Sequence, residues 1–418
     1  MKIKYLIIGA GISGLSFASK LDGNYMIIEK EDRPGGLCRS FHIKGYTWDY
    51  AGHFFHFRNE ESQKYFSKVL CDEQCIKQKK NTSILYKGEM IDYPFQKNIH
   101  QLDKDDFIDC LYDLFFKEEK ENYDSFKDML MGKFGKGICD RFLVPYNEKL
   151  YACSLDDLDK DAMGRFFPYA DLKDIIRNMK KHKSESYNDT FLYPKSGAQA
   201  VINHILKSID SERLHLGETV VSIDSGKRIV RTSKEEYEYD FLINTMPLND
   251  FLKLKGDELL VAQNLSWNKV LVFNIGFDKD SLDKTIHWIY FPEKDFNFYR
   301  VGFYNNILKS DKLSVYVEIG MNPEDEINEE EQFSLTISNL KRCGIITDHK
   351  VVSYQLLVMN PAYVHISKKG KEFVDYKTEE LKSKSVYTLG RYGRWTYCSM
   401  EDCYISAIEL AERLSRVQ

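Results

Sequence analysis

The sequence lacks long hydrophobic runs, a dominant charge of one sign and any paired-cysteine motif. No stretch of its 418 residues approaches the roughly 18 apolar residues that a membrane span needs. A glycine-rich turn interrupts the first apolar run, which argues against a signal peptide. The net charge is −5 and the two signs are well mixed, which disfavours an extended nucleic-acid-binding surface. We therefore predict a cytoplasmic protein with no membrane span and no nucleic-acid partner.

Cysteine usage excludes two further classes. The nine cysteines form no C-x-x-C pair and have no histidine partners at zinc-ligand spacing, so we predict reduced thiols and no metal. The sequence also shows no internal repeat and no low-complexity linker. A chain of this length exceeds one ordinary core, which indicates two or three interleaved domains.

The N-terminus carries a dinucleotide-binding pattern. Residues 5–8 are a short apolar run, and Gly9, Gly11 and Gly14 follow it with G-x-G-x-x-G spacing. The first glycine permits a tight turn, the second lets a pyrophosphate approach the backbone, and the third lets helix and strand pack closely. A second apolar run ends in Glu29, twenty residues after Gly9, where a carboxylate can bind ribose hydroxyls.

A second glycine pair, Gly35 and Gly36, comes soon after Glu29. A nicotinamide-binding domain would usually continue there with its next crossover helix. The observed order resembles FAD enzymes of the glutathione-reductase-like and amine-oxidase-like kinds, so FAD is the expected cofactor. The predicted cofactor contacts in this part of the chain are Gly9, Gly11, Ser13, Gly14, Glu29, Lys30, Gly36 and Leu37.

The hydrophobic patterns predict an α/β protein with a Rossmann-like FAD-binding domain built from residues 1–80, 195–250 and 385–418. Short strands at 219–224, 228–232, 239–245 and 386–390 would return the chain to that domain. Residues 100–190 read as a mostly helical insertion, with helices expected over 103–121, 123–134 and much of 156–178. Residues 81–99 and 265–384 would form an antiparallel substrate-domain sheet, beginning with a hairpin at the Lys87–Gly88 turn.

Four later stretches carry most of the remaining functional information. They are Gly52-His-Phe-Phe-His56, Tyr93-Pro-Phe-Gln-Lys-Asn98, Phe142-Leu-Val-Pro-Tyr-Asn-Glu-Lys-Leu-Tyr151 and Gly390-Arg-Tyr-Gly-Arg-Trp-Thr-Tyr397. Together with the FAD pattern, and in the same order, they resemble the UDP-galactopyranose mutases. The resemblance runs to the final helix, and between Tyr290 and Arg300 it is closer to the eukaryotic branch.

This resemblance implies conversion of UDP-galactopyranose to UDP-galactofuranose, which supplies polysaccharide biosynthesis. In that family N5 of reduced FAD attacks the anomeric carbon, UDP leaves, and the sugar ring opens and recloses as a furanose. The implied partners are a UDP-sugar substrate and a reductant such as NAD(P)H, and an oligomer is possible.

The resemblance also implies where the substrate binds. The uracil site would contain Tyr93, Gln96, Phe142 and Asn147, with Asn188 nearby. A ring can stack on the base, while an amide offers a donor and an acceptor to the imide edge. The implied diphosphate ligands are Arg165, Arg300, Tyr290, Tyr363 and Tyr397. Guanidiniums and phenols suit a dianionic leaving group, and Arg165 would lie on a flap beside Gly164.

The catalytic residues implied by the same family are His53, Arg300 and Arg165. His53 would lie near the flavin N5 and shape its reactivity. The later cofactor contacts would be His56, Val220, Gly390, Arg391, Met400 and Asp402.

Two departures from the family leave the sugar open. Tyr151 stands where the family usually has tryptophan, and Ala51 stands where it has a second glycine, so an N-acetylated or deoxy sugar is an alternative substrate. A redox flavoenzyme of the amine-oxidase or protoporphyrinogen-oxidase kind is the main rival, with an apolar cleft and no paired arginines. A non-catalytic sugar-nucleotide binder is the third reading, and Arg391 with the intact glycines argues against it.

Overall fold

The computed structural model describes residues 1–72, 74–180 and 190–416. Its strands are β1 Lys2–Ile8, β2 Tyr25–Ile28, β3 Ser40–Ile43, β4 Tyr46–Asp49, β5 Cys75–Lys79, β6 Thr82–Tyr86, β7 Glu89–Asp92, β8 Thr190–Pro194, β9 Leu214–His215, β10 Val220–Asp224, β11 Ile229–Thr232, β12 Glu236–Asn244, β13 Lys269–Phe277, β14 Trp288–Tyr290, β15 Arg300–Phe303, β16 Ser314–Met321, β17 Val351–Met359 and β18 Val386–Thr388. Its helices are α1 Ile12–Ala18, α2 Glu60–Asp72, α3 Lys104–Phe115, α4 Phe126–Ile138, α5 Val144–Tyr151, α6 Leu172–Asn178, α7 Gln199–Leu206, α8 Leu248–Leu254, α9 Glu258–Asn264, α10 Tyr304–Leu308, α11 Glu329–Arg342, α12 Lys368–Ser383, α13 Gly390–Gly393 and α14 Met400–Ser415. Within these residues, no helix has both the length and the apolar character needed to cross a membrane.

The first sheet gathers strands from three distant parts of the chain. Its order is β10-β11-β12-β1-β2-β9, and β18 pairs with the C-terminal half of β12. β1 runs parallel to both β12 and β2. Successive side chains of a strand point to opposite faces, so Ile7 packs against α1, α7 and α14 while Leu6 packs against α8, α9 and α12. The result is a parallel core covered by helices on both faces, which is the α/β fold that the sequence predicts.

The second sheet has the order β17-β13-β16-β15-β14-β6-β7. Its neighbouring strands are antiparallel except for β14 and β6, which run parallel. All nine residues of β13 are buried because both faces of this strand are covered. Phe273 packs with Leu340 of α11 on one face, and Val272 packs with the helical region on the other.

Helices α3 to α6 lie between β7 and β8 in the chain, and side-chain caps start three of them. Asp103, Ser125 and Asp171 each accept a hydrogen bond from the backbone N–H three residues later, which satisfies an otherwise unpaired helical donor. A π-helical turn, Cys139–Leu143, joins α4 to α5. Gly135 has φ +75° within α4, and a Cβ there would lie 2.3 Å from the carbonyl oxygen of Asp113, so α3 and α4 meet at this glycine.

The structure also differs from the sequence-based expectations in detail. The segment 156–178 contains 3₁₀ turns and the short helix α6, rather than a mostly continuous helix. The expected helix over 103–121 ends at Phe115. β17 and α12 were not predicted. β17 is an edge strand that pairs only with β13, so exposed and covered residues mix along it and its pattern is weak.

One buried side chain, the carboxylate of Asp49 at the end of β4, connects several helices and strands through hydrogen bonds. It accepts hydrogen bonds from the hydroxyl groups of Ser40 and Tyr193 (2.7 Å for Tyr193) and from the backbone N–H of Ala198. Its own backbone contacts the hydroxyl of Tyr304 in α10, at 3.1 Å from the Asp49 nitrogen. Burial raises the pKa of Asp49 to about 6, and the hydrogen bonds of Ser40 and Tyr193 oppose that shift.

We expect Tyr193→Phe to lower the free energy of unfolding by about 2 kcal/mol at pH 8, because hydrogen bonds to charged groups contribute about 1.5–3 kcal/mol. The loss should be smaller at pH 5, since Asp49 has a pKa of about 6 and is then largely protonated. Denaturant unfolding at both pH values measures the loss in free energy of unfolding. Tyr46→Phe is the control: the Tyr46 hydroxyl donates to the neutral carbonyl of Phe277 at 2.6 Å, so about 1 kcal/mol should be lost at either pH. Equal losses for Tyr193→Phe at pH 5 and pH 8 would contradict an ionised partner.

Candidate active site

In the glycine-rich turn between β1 and α1, some glycines are required for packing and another leaves room for a ligand. A Cβ on Gly14 would lie 2.0 Å from the carbonyl oxygen of Gly9, and Gly9 itself has φ +101°. These two positions need glycine for the fold alone. A Cβ on Gly11 would lie 3.9 Å from its nearest neighbour in the described structure, the Cα of Gly36. The protein therefore leaves open the one glycine at which a pyrophosphate approaches the backbone in dinucleotide-binding folds.

Glu29 closes this turn from the end of β2. Its buried carboxylate accepts the backbone N–H of Ala10 at 2.7 Å and that of Glu31 at 3.0 Å. A carboxylate has about four acceptor positions, so capacity remains for ribose hydroxyls. Glu29 is thus oriented by the backbone, as a ribose-binding residue requires.

The second glycine pair lies against the first turn. Gly36, with φ +56°, would bring a Cβ to 3.3 Å from the Cα of Gly11. It begins a 3₁₀ turn that contains Leu37, a half-buried residue at the edge of the core. Lys30 is exposed next to Glu29. Gly11, Gly36 and Leu37 are brought together, as predicted cofactor contacts should be.

The C-terminal segment reaches the same place. Gly390 has φ +77°, and a Cβ there would lie 2.2 Å from the hydroxyl oxygen of Ser13. Arg391 follows, and its buried Nε atom has no hydrogen-bond partner among residues 1–72, 74–180 and 190–416. Within the same residues, the buried Nδ1 atom of His53 has no partner either. Burial, together with the charges of Arg391 and Arg300, lowers the His53 pKa to about 4, so this imidazole is neutral at physiological pH.

Arg391 lies among aromatic rings. Its guanidinium carbon is 4.5 Å from the ring centre of Tyr397 and 5.2 Å from that of Tyr363. Those two rings are stacked at 5.9 Å, and Tyr151 contacts Tyr363 edge-on at 5.7 Å. The Tyr151 hydroxyl is buried and has no hydrogen-bond partner among the residues that the structure describes. We call Tyr151, Tyr363, Arg391 and Tyr397 the Arg391 cluster.

A second guanidinium, that of Arg300, is held by a buried carboxylate. Arg300 and Glu318 are opposite each other on β15 and β16. Glu318 accepts two hydrogen bonds from Arg300, through Nε and through Nη2 at 2.8 Å, and a third from the Tyr299 hydroxyl at 3.1 Å. A guanidinium has five N–H donors, so Arg300 keeps donors beyond those that Glu318 takes.

The predicted uracil residues lie along a chain of stacked rings. Phe95, Phe142 and Tyr146 stack in sequence at 5.1 Å spacing. Tyr146 then contacts Tyr290 at 5.3 Å, and Tyr290 contacts Tyr93 at 4.9 Å. These contacts connect the 3₁₀ turn Phe95–Lys97 and α5 to β14 of the second sheet.

Two buried amides accompany these rings. The side-chain nitrogen of Gln96 donates to the carbonyl of Pro168, and that of Asn147 donates to the carbonyl of Leu143 at 2.6 Å. Among the described residues, no hydrogen-bond partner reaches the buried side-chain oxygen of Gln96 or that of Asn147. Native proteins rarely leave such atoms unsatisfied, so each oxygen needs a donor from outside the described residues.

Arg165 has a different partner from the one expected. It lies in the 3₁₀ turn Gly164–Phe166, where Gly164 has φ +48°, and its guanidinium pairs with the Asp402 carboxylate. Phe166 packs edge-on against Tyr397 at 4.9 Å. Arg165 is therefore next to the Arg391 cluster, held by an acidic residue that was itself predicted to contact the cofactor.

The remaining predicted residues are more scattered. The Nδ1–H of His56 donates to the Thr190 carbonyl, 3.0 Å away. Val220 is buried on β10 in the core. The sulfur of Met400 is 3.6 Å from that of Cys38. Asn188 falls outside the described residues.

Sequence reasoning missed Glu318, Tyr146, Tyr299 and Tyr316. Glu318 is a lone carboxylate inside the otherwise apolar strand β16, and Tyr316 precedes it by two residues on the same face. A buried charge on a strand is the signal that could have identified it, because such a charge needs a partner.

The fold and these residues define a flavoprotein of the FAD-dependent oxidoreductase class. The sequence profile of the flavin containing amine oxidoreductase family matches residues 12–415. The chain belongs to this family. The predicted flavin cofactor is thus supported by the family, and the glycine turn and Glu29 fit a dinucleotide.

Within that class, the chain is similar to a solved reduced UDP-galactopyranose mutase. The TM-score is 0.92 at 25% identity, over 100% of this chain and 95% of that chain. The resemblance expected from the motifs is therefore confirmed over the whole fold. A putative protoporphyrinogen oxidase from Exiguobacterium sp. 255-15 matches with a TM-score of 0.78 at 15% identity, over 100% of this chain and 99% of that one. That second likeness shows the fold alone.

The match to a curated relative covers a much smaller part of this chain. An uncharacterized protein in the nifH2 3′ region of Methanothermococcus thermolithotrophicus is 40% identical over 53 residues, or 12% of this chain. The chain spans about half of that relative, 52% of its length.

We expect Gly11→Ala and Gly14→Ala to separate cofactor binding from folding. Gly11→Ala should keep a near-normal melting temperature, because its Cβ has room, but should lower the flavin-to-protein absorbance ratio of the purified protein. Gly14→Ala should lower the melting temperature, because its Cβ would overlap the Gly9 carbonyl. Calorimetry and flavin absorbance measure the two effects. A normal flavin content in Gly11→Ala would contradict the proposed approach of the pyrophosphate.

We expect Glu318→Ala to cost about 3–5 kcal/mol of stability, because it leaves a largely enclosed guanidinium unpaired. The control is Glu236→Ala, which breaks the exposed pair with Arg231 and should cost less than about 1 kcal/mol. Denaturant unfolding of both variants tests this. Similar losses in the two variants would show that Glu318 does not neutralise a buried charge.

Proposed function

We propose that this protein is an FAD-dependent mutase that interconverts UDP-galactopyranose and UDP-galactofuranose. The observation that carries the proposal is the pair of buried amides, Gln96 and Asn147, whose side-chain oxygens have no partner in the described part of the chain. They accompany stacked rings, which in turn lead to the tyrosines around Arg300 and Arg391. A UDP-sugar consists of a base, a diphosphate and a sugar. The base would bind at the rings and amides, the diphosphate beside Arg300 and the sugar beside the Arg391 cluster.

The base would bind among the rings and amides. Uracil offers an N–H between two carbonyls, and the unpartnered oxygen of Gln96 or Asn147 can accept that N–H. Tyr93 offers a ring face to the base. Phe142 is stacked between Phe95 and Tyr146, so it would support the base site from within the stack. Asn188 remains a predicted contact near the nucleotide.

The diphosphate would bind to guanidinium and phenol donors. Glu318 fixes the Arg300 guanidinium in one orientation, which suits the recognition of a phosphate of defined position. The hydroxyl groups of Tyr290, Tyr363 and Tyr397 add neutral donors. Positive charge and oriented donors favour the departure of UDP because its charge increases as the glycosidic bond breaks.

The flavin side of the site would be held by the glycine turn, Glu29, Arg391 and His53, with Val220, Met400 and His56 as further predicted contacts. When bound in its reduced form, FAD supplies the nucleophile, its N5 atom, for displacement of UDP at the anomeric carbon. Neutral His53 can exchange hydrogen bonds beside that centre without adding a positive charge. Arg165 would exchange Asp402 for the substrate diphosphate as its turn moves.

A different nucleotide sugar is the alternative substrate. Tyr151 belongs to the Arg391 cluster, and its buried hydroxyl has no partner within the described ranges, so it can hydrogen-bond to a sugar substituent. The redox flavoenzyme remains the rival activity, supported by the family. Two guanidiniums surrounded by phenols favour an anionic substrate over an apolar one.

The decisive experiment follows UDP-galactofuranose under anaerobic conditions by chromatography. We expect conversion to UDP-galactopyranose by the dithionite-reduced protein and no conversion by the oxidised protein. UDP binding without conversion would favour another UDP-sugar. Neither binding nor conversion would reject the mutase and favour the oxidase.

Asn147→Ala tests the nucleotide site directly. We expect its Kd for UDP to rise about tenfold, because loss of a hydrogen bond in a buried site costs about 1–3 kcal/mol. Asn203→Ala is the control, since Asn203 is exposed on α7, and its Kd should be unchanged. Calorimetric titration with UDP measures both values.

A further inference from the structure

Two cysteines face each other at the start of α14. The sulfurs of Cys398 and Cys403 are 3.6 Å apart. Cys398 immediately precedes Ser399, the N-cap of α14, and Cys403 lies in the first helical turn. Between them, Ser399 and Asp402 form a reciprocal capping box, which fixes the backbone that carries both thiols.

The surroundings of Cys403 differ from those of the other buried thiols. The hydrogen bond between the two thiols lowers the pKa of Cys403 and raises the pKa of Cys398. By contrast, burial raises the pKa of Cys110 and Cys153 to about 12. Cys403 therefore has the greater thiolate character.

Exposure assigns complementary roles to the two sulfurs. Cys398 is partly exposed, whereas Cys403 is buried. A reagent from solution can reach Cys398 first, and the adjacent Cys403 can then react with Cys398. This arrangement of an accessible thiol with a neighbouring resolving thiol is typical of reversible redox pairs.

We propose that Cys398 and Cys403 form a reversible disulfide. The oxidant is a low-molecular-weight disulfide. The Cys403 thiolate takes the proton of Cys398 as the Cys398 sulfur attacks one sulfur of the oxidant, which forms a mixed disulfide and releases one small thiolate. The released thiolate takes that proton from Cys403. The Cys403 thiolate then attacks the Cys398 sulfur and releases the second small thiolate. Two protein thiols are oxidised, one small disulfide is reduced to two thiols, and the two protein protons pass to those products.

The required movement is small. An S–S bond is about 2.05 Å long, so the sulfurs must approach by about 1.5 Å from their separation of 3.6 Å. The bond would enclose Ser399 to Asp402, and Asp402 also pairs with Arg165. Oxidation would thus restrain the segment that holds Arg165. This proposal concerns the thiols alone and stands apart from the proposed mutase reaction.

Peptide mapping of the intact, flavin-loaded protein tests the disulfide. Trypsin leaves both cysteines on one peptide, residues 395–413, because no lysine or arginine lies between Arg394 and Arg413. The protein is treated with glutathione disulfide or with dithiothreitol, and remaining thiols are blocked with iodoacetamide under denaturing conditions. We expect two labels on this peptide after reduction. After oxidation we expect no label and a mass lower by two hydrogen atoms than that of the unlabelled dithiol peptide.

Single variants identify the order of the two steps. Cys403→Ser should trap a glutathione adduct on Cys398, whereas Cys398→Ser should gain none on the buried Cys403. Cys343→Ser is the control and should still form the disulfide, because Cys343 lies on the far side of the second sheet, after α11. Circular dichroism confirms that each variant is folded, and the wild-type mapping needs no variant.

Two results would overturn the proposal. One is a wild-type peptide that carries both labels after oxidation. The other is a lasting glutathione adduct on wild-type Cys398 with Cys403 still labelled. Hydrogen exchange provides a second readout: in the oxidised protein, amides of the first turn of α14 should exchange several-fold more slowly, and unchanged exchange would refute the restraint on Asp402.

Discussion

The buried carboxylate of Asp49 is the contact on which the arrangement of the two sheets depends. Its side chain binds β3, β8 and the start of α7, while its backbone contacts α10 and β13. An ionised group in an apolar interior is unfavourable unless it is hydrogen-bonded, so these elements are required to converge on it. Ala51 and His53 follow within four residues. The same contact therefore sets the position of the segment that carries His53.

A second buried charge organises the proposed substrate side. Arg300 and Glu318 neutralise each other across β15 and β16, and tyrosine rings surround them. Phenols tolerate burial better than charged groups and still donate hydrogen bonds. A cleft built in this way can receive an anionic ligand without leaving unpaired charges when the ligand is absent. The buried amides Gln96 and Asn147 would in the same way hydrogen-bond to an uncharged base.

Features that depend on residues close together in the sequence could be predicted, whereas contacts between distant residues could not. The G-x-G-x-x-G turn, the Lys87–Gly88 hairpin and the strand pattern near residues 219–245 are set by neighbours in the chain, and the structure contains them. The partner of Arg300 and the partner of Arg165 are distant in sequence, and neither Glu318 nor Asp402 was assigned that role. The segment 156–178 was expected to be largely helical, but it contains 3₁₀ turns and the single α-helix α6. The backbone N–H of Asp159, for example, donates to the distant carbonyl of Ile366 rather than to a helical partner.

The sequence by itself determined the class of fold, the position of the dinucleotide turn and the family resemblance, because glycine spacing and apolar periodicity act over short distances. Only the tertiary structure decided which carboxylates neutralise Arg300 and Arg165, which amide oxygens lack a partner among the described residues and which cysteines meet. These properties depend on burial and on contacts between distant segments. A residue such as Glu318 has no special meaning in the chain until folding removes it from water and places it beside Arg300.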